Sequence, residues 1–231
     1  MEYLLIAAII AIISMIVKFI FGANIKKLKK ISENNKLDEI IQKYPSNIEI
    51  CKTILKKLKN EKVKIKEVDQ ESSMYIAIGN SINIGKIQKT FTRIQTIAHE
   101  CLHSIQNRRI LVFNVIISNI FLLYFVIIVI LRFLKIEFVV SNQSIFFAIL
   151  IGLGFAYYAI RTYLENDAMI KAKYLAKEYM EEQTLSSKEE INEIIEEYDK
   201  LNDIGIRCVN YNIFIITAVF IVIFSLICFI R

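Results

Sequence analysis

Apolar residues in this chain fall into blocks. Four predominantly apolar runs, at about 3–22, 110–131, 144–160 and 212–230, are separated by stretches where apolar and polar positions alternate or recur at helical spacing. A helix rising about 1.5 Å per residue needs about 20 apolar residues to cross the hydrocarbon core of a bilayer, with somewhat fewer sufficing at the short end. The pattern predicts a mainly α integral membrane protein with about four transmembrane helices. Its segments are an N-terminal anchor (1–22), a polar segment (23–109), a transmembrane hairpin (110–160), a second polar segment (161–211) and a C-terminal transmembrane helix (212–231).

Inside the polar segments the spacing predicts a small α+β domain. Ser46 and Glu49 form a capping-box pair just after Pro45, and Ile48, Cys51, Leu55 and Leu58 follow at helical spacing, which predicts a helix to about residue 60. Val63–Ile65 alternates. Tyr75–Ile78 leads through Gly79-Asn80-Ser81 into Ile82–Ile84, the pattern of strands joined by a short turn. A second capping box, Ser187 with Glu190, opens an acidic helix expected to end near residue 204.

Composition supports the membrane reading, since 55% of the residues are hydrophobic. A secretory signal would carry basic residues ahead of its apolar stretch. Here Glu2 comes first and the lysines follow, so the first run reads as a retained anchor. Lys and Arg are asymmetric across the spans. Lys26, Lys27, Lys29, Lys30, Lys36, Arg108, Arg109, Arg161, Lys171, Lys173, Lys200 and Arg207 flank one side, against Arg132, Lys135 and Arg231 on the other. By the positive-inside rule both polar segments are cytoplasmic in a multi-pass protein of the cell membrane, with both termini outside. Attraction to anionic lipid accounts for the eighteen basic against nine acidic residues of 23–109, so the partner implied is the lipid bilayer and no nucleic acid is expected. The four cysteines show no paired spacing, and they read as structural thiols.

Both histidines of the chain stand in Ala98-His99-Glu100-Cys101-Leu102-His103-Ser104. Ile87, Phe91, Ile94, Ala98, Cys101 and Ile105 recur in fours and threes and predict the buried face of a helix, with His99 and His103 on the adjacent polar flank beside Thr92, Gln95 and Gln106. Two imidazoles at i and i+4 project one turn apart, the separation needed to reach a single Zn2+ at about 2.0–2.1 Å. Glu100 follows the first of them, placed as a base for a water. A catalytic zinc usually takes a third protein ligand. It must lie on the same membrane side as His99, which an even number of crossings allows. Glu165, just past the hairpin, meets that condition, and Asp167 or a Glu of the acidic helix are alternatives.

With these residues the chain resembles the bacterial membrane-bound neutral zinc metallopeptidases, and more distantly the integral-membrane gluzincins of the prenyl-protein-peptidase and heat-shock-protease type. The likeness runs over nearly the whole chain: an anchor, a capped helix with strands, His-Glu-x-x-His followed by Ser104-Ile105-Gln106, a hydrophobic hairpin, Glu165-Asn166-Asp167-Ala168 and a final span. It implies a zincin-like cytoplasmic domain, Zn2+ held by His99, His103 and Glu165, and hydrolysis of peptide or protein substrates, membrane-associated ones included, with Glu100 as general base. The chain departs from the family pattern at Leu102, where Gly is usual, and at Met169, where a small or acidic residue is usual. Those two positions support the alternative of a non-catalytic membrane scaffold or metal-binding pseudo-peptidase. An intact Glu100 supports the enzyme, because a purely structural site needs no base.

Sidedness is directly testable. In a cysteine-free version, single cysteines introduced near Lys30 and Lys188 should resist a membrane-impermeant thiol reagent in intact cells, while one near Asn142 should react. Labelling of the first two would invert the topology.

Overall fold

The computed structural model describes residues 1–70 and 72–229. Ile230, where the fourth apolar run ends, and Arg231, counted above on the outer side, lie outside the described residues. The elements in chain order are α1 (Glu2–Phe21), α2 (Ile25–Ser32), α3 (Asn35–Ile41), α4 (Asn47–Lys57), β1 (Lys64–Glu67), β2 (Met74–Ile76), β3 (Ser81–Ile84), α5 (Arg93–Ile105), α6 (Arg108–Phe133), α7 (Glu137–Ser141), α8 (Gln143–Gln183) and α9 (Lys188–Phe229). Four of them, those holding the predicted runs, are long and apolar enough to cross a membrane, consistent with a multi-pass membrane protein.

One helix outruns its expected end. The acidic helix continues through Gly205 to Phe229, so α9 holds both the acidic stretch and the fourth apolar run. No proline interrupts it, and one interior glycine costs a helix only about 1 kcal/mol. Gly205 also makes room: a Cβ there would come within 2.9 Å of the Met169 side chain on α8.

The chain divides into two compact units, one comprising Met1–Ala23, Phe113–Tyr163 and Arg207–Arg231, the other Asn24–Val112 and Leu164–Ile206. The first is the apolar one. Its core gathers Phe121, Ile128, Leu150, Ile221, Phe224 and Cys228, with Phe125 stacked on Phe220 at 4.1 Å between ring centroids. Gly154 on α8 allows a close helix contact, since a Cβ built there would meet Thr217 of α9 at 2.5 Å and the Phe121 ring at 3.3 Å. Without a hydrophobic force between helices in lipid, such small-residue contacts are what association depends on.

The second unit builds a mixed sheet of order β1-β3-β2, with β1 parallel and β2 antiparallel to β3. Both capping boxes form: Ser46 with Glu49 at the start of α4, and Ser187 with Glu190 at the start of α9. Ile78, expected in a strand, is instead exposed in the turn before Asn80, whose positive φ closes the hairpin. A helix not expected from the pattern, α3, starts where Asn34 accepts the Leu37 N–H and contributes Leu37, Ile40 and Ile41 to the core.

That core joins Ile50, Cys51, Ile54 and Leu55 of α4, Ile82 and Ile84 of β3, Ile94, Ile97, Ala98, Cys101 and Leu102 of α5, and Ala168, Ala172 and Ala176 of α8. Several lysines of the first polar segment turn toward acidic residues of the long helices: Lys36 to Glu193, Lys43 to Glu190, and Lys57 to Glu178 and Glu182. Part of the basic excess assigned above to lipid is therefore matched within the unit. Exposed pairs of this kind contribute about 0–1 kcal/mol each, so the apolar core carries the stability.

The close contact at Gly154 gives a test. Gly154→Ala should lower stability by about 1–3 kcal/mol through overpacking, while Gly152→Ala, which meets nothing within 4 Å, should not. Trimming Thr217 to Ser in the Gly154→Ala background should restore the loss, read from thermal unfolding in detergent. Equal effects at the two glycines would disprove the contact.

Candidate metal centre

The site rests on α5, whose entry is held by three polar contacts. The Phe91 N–H donates to Asp38 Oδ1 at 2.7 Å, and the Tyr198 hydroxyl on α9 donates to the Phe91 carbonyl at 2.6 Å. Arg93, only 3% exposed, donates through Nη2 to the carbonyls of Ile41 and Tyr44 and through Nη1 to Asn47 Oδ1. A buried cation is costly unless hydrogen-bonded. Here it satisfies the carbonyl of Ile41, the last residue of α3, and that of Tyr44 just beyond, and a helix C-terminus favours positive charge. At the other end, Asn60 Nδ2 donates to the Ser104 carbonyl and Oγ, both at 3.0 Å.

The helix begins at Arg93, so Ile87 and Phe91 precede it. Phe91, Ile94, Ala98 and Cys101 are buried as expected, but Ile105, expected on the same face, is 47% exposed at the last residue of the helix. On the flank that reads as polar, His103 is buried at 8% exposure while Thr92, Gln95, His99 and Gln106 are half-buried; elsewhere on the helix Ile97, Glu100 and Leu102 are buried as well. Part of its cover is α8, whose Leu164 carbonyl accepts from Gln106 and whose Ala168 and Ala172 share the core with Ala98 and Leu102.

His99, His103 and Glu165 converge there, each offering one ligand atom, and these atoms lie within 4.8 Å of one another. The two Nε2 atoms are 3.0 Å apart, and Glu165 Oε2 stands 3.4 Å from His99 Nε2 and 3.6 Å from His103 Nε2. Ligand atoms about 2.0–2.1 Å from a tetrahedral ion are separated from each other by about 3.3–3.4 Å, close to the mean of this triangle. Two imidazole nitrogens and one carboxylate oxygen suit a borderline transition metal, whereas Mg2+ and Ca2+ prefer oxygen throughout. The group could hold such a metal ion.

The protonation of His103 follows from its neighbour. Gln106 Nε2 faces two acceptors, the Leu164 carbonyl at 2.9 Å and Asp167 Oδ2 at 3.1 Å, which settles which end of its amide is nitrogen. Its Oε1 therefore faces His103 Nδ1 at 2.8 Å, and Nδ1–H is the donor. In the neutral ring the Nε2 lone pair is left pointing at the cluster, as a metal ligand requires. Burial by itself lowers the His103 pKa, but Glu165, then Gln106 and Glu100, favour the charged ring and the net direction is upward. A cation at the cluster would compete for that same lone pair.

Asp167, one of the alternative third ligands, is otherwise engaged. It accepts from Gln106 and pairs with Lys171 at 2.5 Å. Burial alone would raise its pKa, and these two donors outweigh that and hold it below the ordinary carboxylate range. Acidic residues of α9 pair elsewhere, Glu190 with Lys43, Glu193 with Lys36 and Glu197 with Lys200.

Glu100 stands apart from the three-atom cluster. Burial pushes its pKa above the ordinary value, while His99, His103 and a hydrogen bond from the Tyr75 backbone pull the other way. Its neighbour β2 is at the margin of the sheet, so one backbone edge of that strand is not taken by β3. Two supports were not anticipated from sequence. One is Asn202, which accepts from Gln95 on α5 at 2.6 Å and donates to the Met169 carbonyl on α8 at 3.1 Å. The other is Gln106, which the sequence places on the polar flank and in the His-Glu-x-x-His resemblance without revealing its contacts with His103 and α8.

Metal analysis of the purified chain should return about one zinc per chain, lost in His99→Ala, His103→Ala and Glu165→Ala. Asp167→Ala should keep stoichiometric metal, because Asp167 supports Gln106 and not the cluster. The reverse result for Asp167 and Glu165 would reassign the third ligand. Compared with family models, with curated proteins and with solved structures, the chain finds no match.

Proposed function

We propose that the chain is a membrane-bound zinc metallopeptidase, hydrolysing peptide bonds of membrane-associated peptides or proteins on the cytoplasmic side of the cell membrane. The observation that carries this reading is the meeting of His99, His103 and Glu165 from two helices with a buried fourth residue, Glu100, beside them but outside the ligand set. A structural site has no use for that additional buried carboxylate, which is costly to desolvate.

His99, His103 and Glu165 would hold the ion. When bound, zinc supplies a Lewis acid that polarises a carbonyl and makes water acidic near neutral pH. The remaining work belongs to the chain. Glu100 takes the proton from the attacking water and passes it to the leaving amine, and a carboxyl whose pKa is raised by burial is better matched to both transfers near neutrality. The marginal strand β2 offers its outer edge to an extended peptide, and the Tyr75 hydrogen bond to Glu100 keeps the base beside that edge. Gln106 keeps the Nε2 of His103 free of its proton in the neutral ring.

Glu165 follows the third apolar run by only a few residues of continuous helix, and His103 precedes α6 by five. The apolar runs and the Lys and Arg asymmetry support the membrane and its cytoplasmic side.

Glu100→Gln separates this reading from a metal-binding scaffold, because it keeps shape and removes the base. The variant should retain zinc and lose hydrolysis of a membrane-anchored peptide library by about a hundred- to ten-thousandfold. Unchanged hydrolysis would place the activity elsewhere. A wild type that binds zinc and cleaves no member of the library would establish the scaffold instead.

A further inference from the structure

Gln106 terminates α5. Its backbone leaves the helix in an extended conformation (φ −62°, ψ 159°) while its N–H still reaches the His103 carbonyl. That geometry turns the side chain away from the axis of α5 and across to α8. From there one amide makes three bonds in two directions: Oε1 accepts from His103 Nδ1–H, and Nε2 donates to the Leu164 carbonyl and to Asp167 Oδ2. Leu164 immediately precedes Glu165, and Asp167 follows two residues later. Asp167 is in turn held by Lys171 one turn along α8.

We infer that Gln106 is the positioning residue that couples the second and third ligands, setting the tautomer of His103 with its oxygen while fixing the register of α8 at Glu165 with its nitrogen. Resting on the metallopeptidase reading above, this goes beyond it in naming what sets the spacing of the cluster. An α-helix sliding by one residue moves 1.5 Å along its axis and turns by about 100°, enough to swing Glu165 out of the group. The apolar contacts of Ala168 and Ala172 are small-residue packing that tolerates sliding better than a directional pair of hydrogen bonds does. A carbonyl in mid-helix is already bonded within the helix. The Leu164 carbonyl accepts the additional amide with its second lone pair, so the clasp weakens nothing in α8.

The test uses the full-length protein in detergent with both imidazoles 15N-labelled, since two histidines yield only two rings to assign. At alkaline pH, without metal, His103 should sit in the Nδ1–H tautomer in wild type. Gln106→Ala should lose that preference, and Gln106→Glu should keep it, because a carboxylate accepts the same N–H. Zinc affinity, read by competition with a chromophoric chelator, should fall by about ten- to a hundredfold in Gln106→Ala, the range for removing a residue that orients a metal ligand. Gln106→Glu should also bind more weakly despite its correct tautomer, having lost both donor bonds to α8. Combined with Glu165→Gln, Gln106→Ala should cost less than the product of the two separate losses, since the clasp then holds no ligand. Wild-type tautomer and zinc affinity in Gln106→Ala would overturn the inference, as would a fall in unfolding temperature alone. Wild-type affinity in Gln106→Glu would overturn the α8 half. If the wild type itself bound no zinc, the metallopeptidase reading would fall, and the tautomer measurement would still decide whether Gln106 orients His103.

Discussion

The packing of α8 against α5 is the constraint on which the site depends. His99, Glu100 and His103 occupy one helix, and their arrangement is a consequence of helical periodicity alone. Glu165 belongs to another helix, and its carboxylate reaches the two Nε2 atoms only if α8 lies close and in one register. Ala168, Ala172 and Ala176, spaced four apart and fully or nearly fully buried, allow the close approach. Polar contacts then choose among the registers that the alanines permit: Gln106 holds Leu164 and Asp167, and Asn202 joins Gln95 to the Met169 carbonyl.

The division of labour between apolar and polar contacts recurs through this unit. The core residues of α3, α4, α5, β3 and α8 supply non-directional burial. Directional bonds decide position where burial cannot, as with Arg93 on the carbonyls of Ile41 and Tyr44 or the Tyr198 hydroxyl on that of Phe91. Such groups are expensive to desolvate, and their partners must therefore be present in the fold. The same cost acts on Glu100 and His103 with opposite sign: burial raises the Glu100 pKa and by itself lowers that of His103, and the His103 pKa ends above its ordinary value because Glu165, then Gln106 and Glu100, favour the charged ring. A cluster of this kind is poised for a cation, because added positive charge relieves the carboxylates and replaces a proton that the imidazole would otherwise hold.

Where the pattern along the chain misled, the missing information was the identity of a distant neighbour. Ile105 has core spacing but ends its helix, beyond the layer that covers Cys101, and it stays exposed. His103 reads as part of a polar flank because nothing local reveals that α8 will bring Glu165 against it. The acidic helix was expected to stop near residue 204, yet no residue there breaks a helix and α9 continues. Helix α3 has only seven residues, too short a run for helical periodicity to stand out, although its cap Asn34 and the trio Leu37, Ile40 and Ile41 are all present.

Sequence by itself determined the features that depend on local periodicity and on chemistry within one turn. These are the four apolar runs, the two capping boxes, the hairpin around Asn80, and two imidazoles one turn apart with a carboxylate between them. It also narrowed the third member of the cluster to a few carboxylates beyond the hairpin. Only the tertiary structure decided among them, bringing Glu165 to the histidines and sending Asp167 to Gln106 and Lys171. The tautomer of His103, the burial of Glu100 and the double duty of Gln106 were likewise beyond local pattern. The physical reason is that each depends on the register between two helices far apart in the chain, and register is set by packing and hydrogen bonds that no single segment contains.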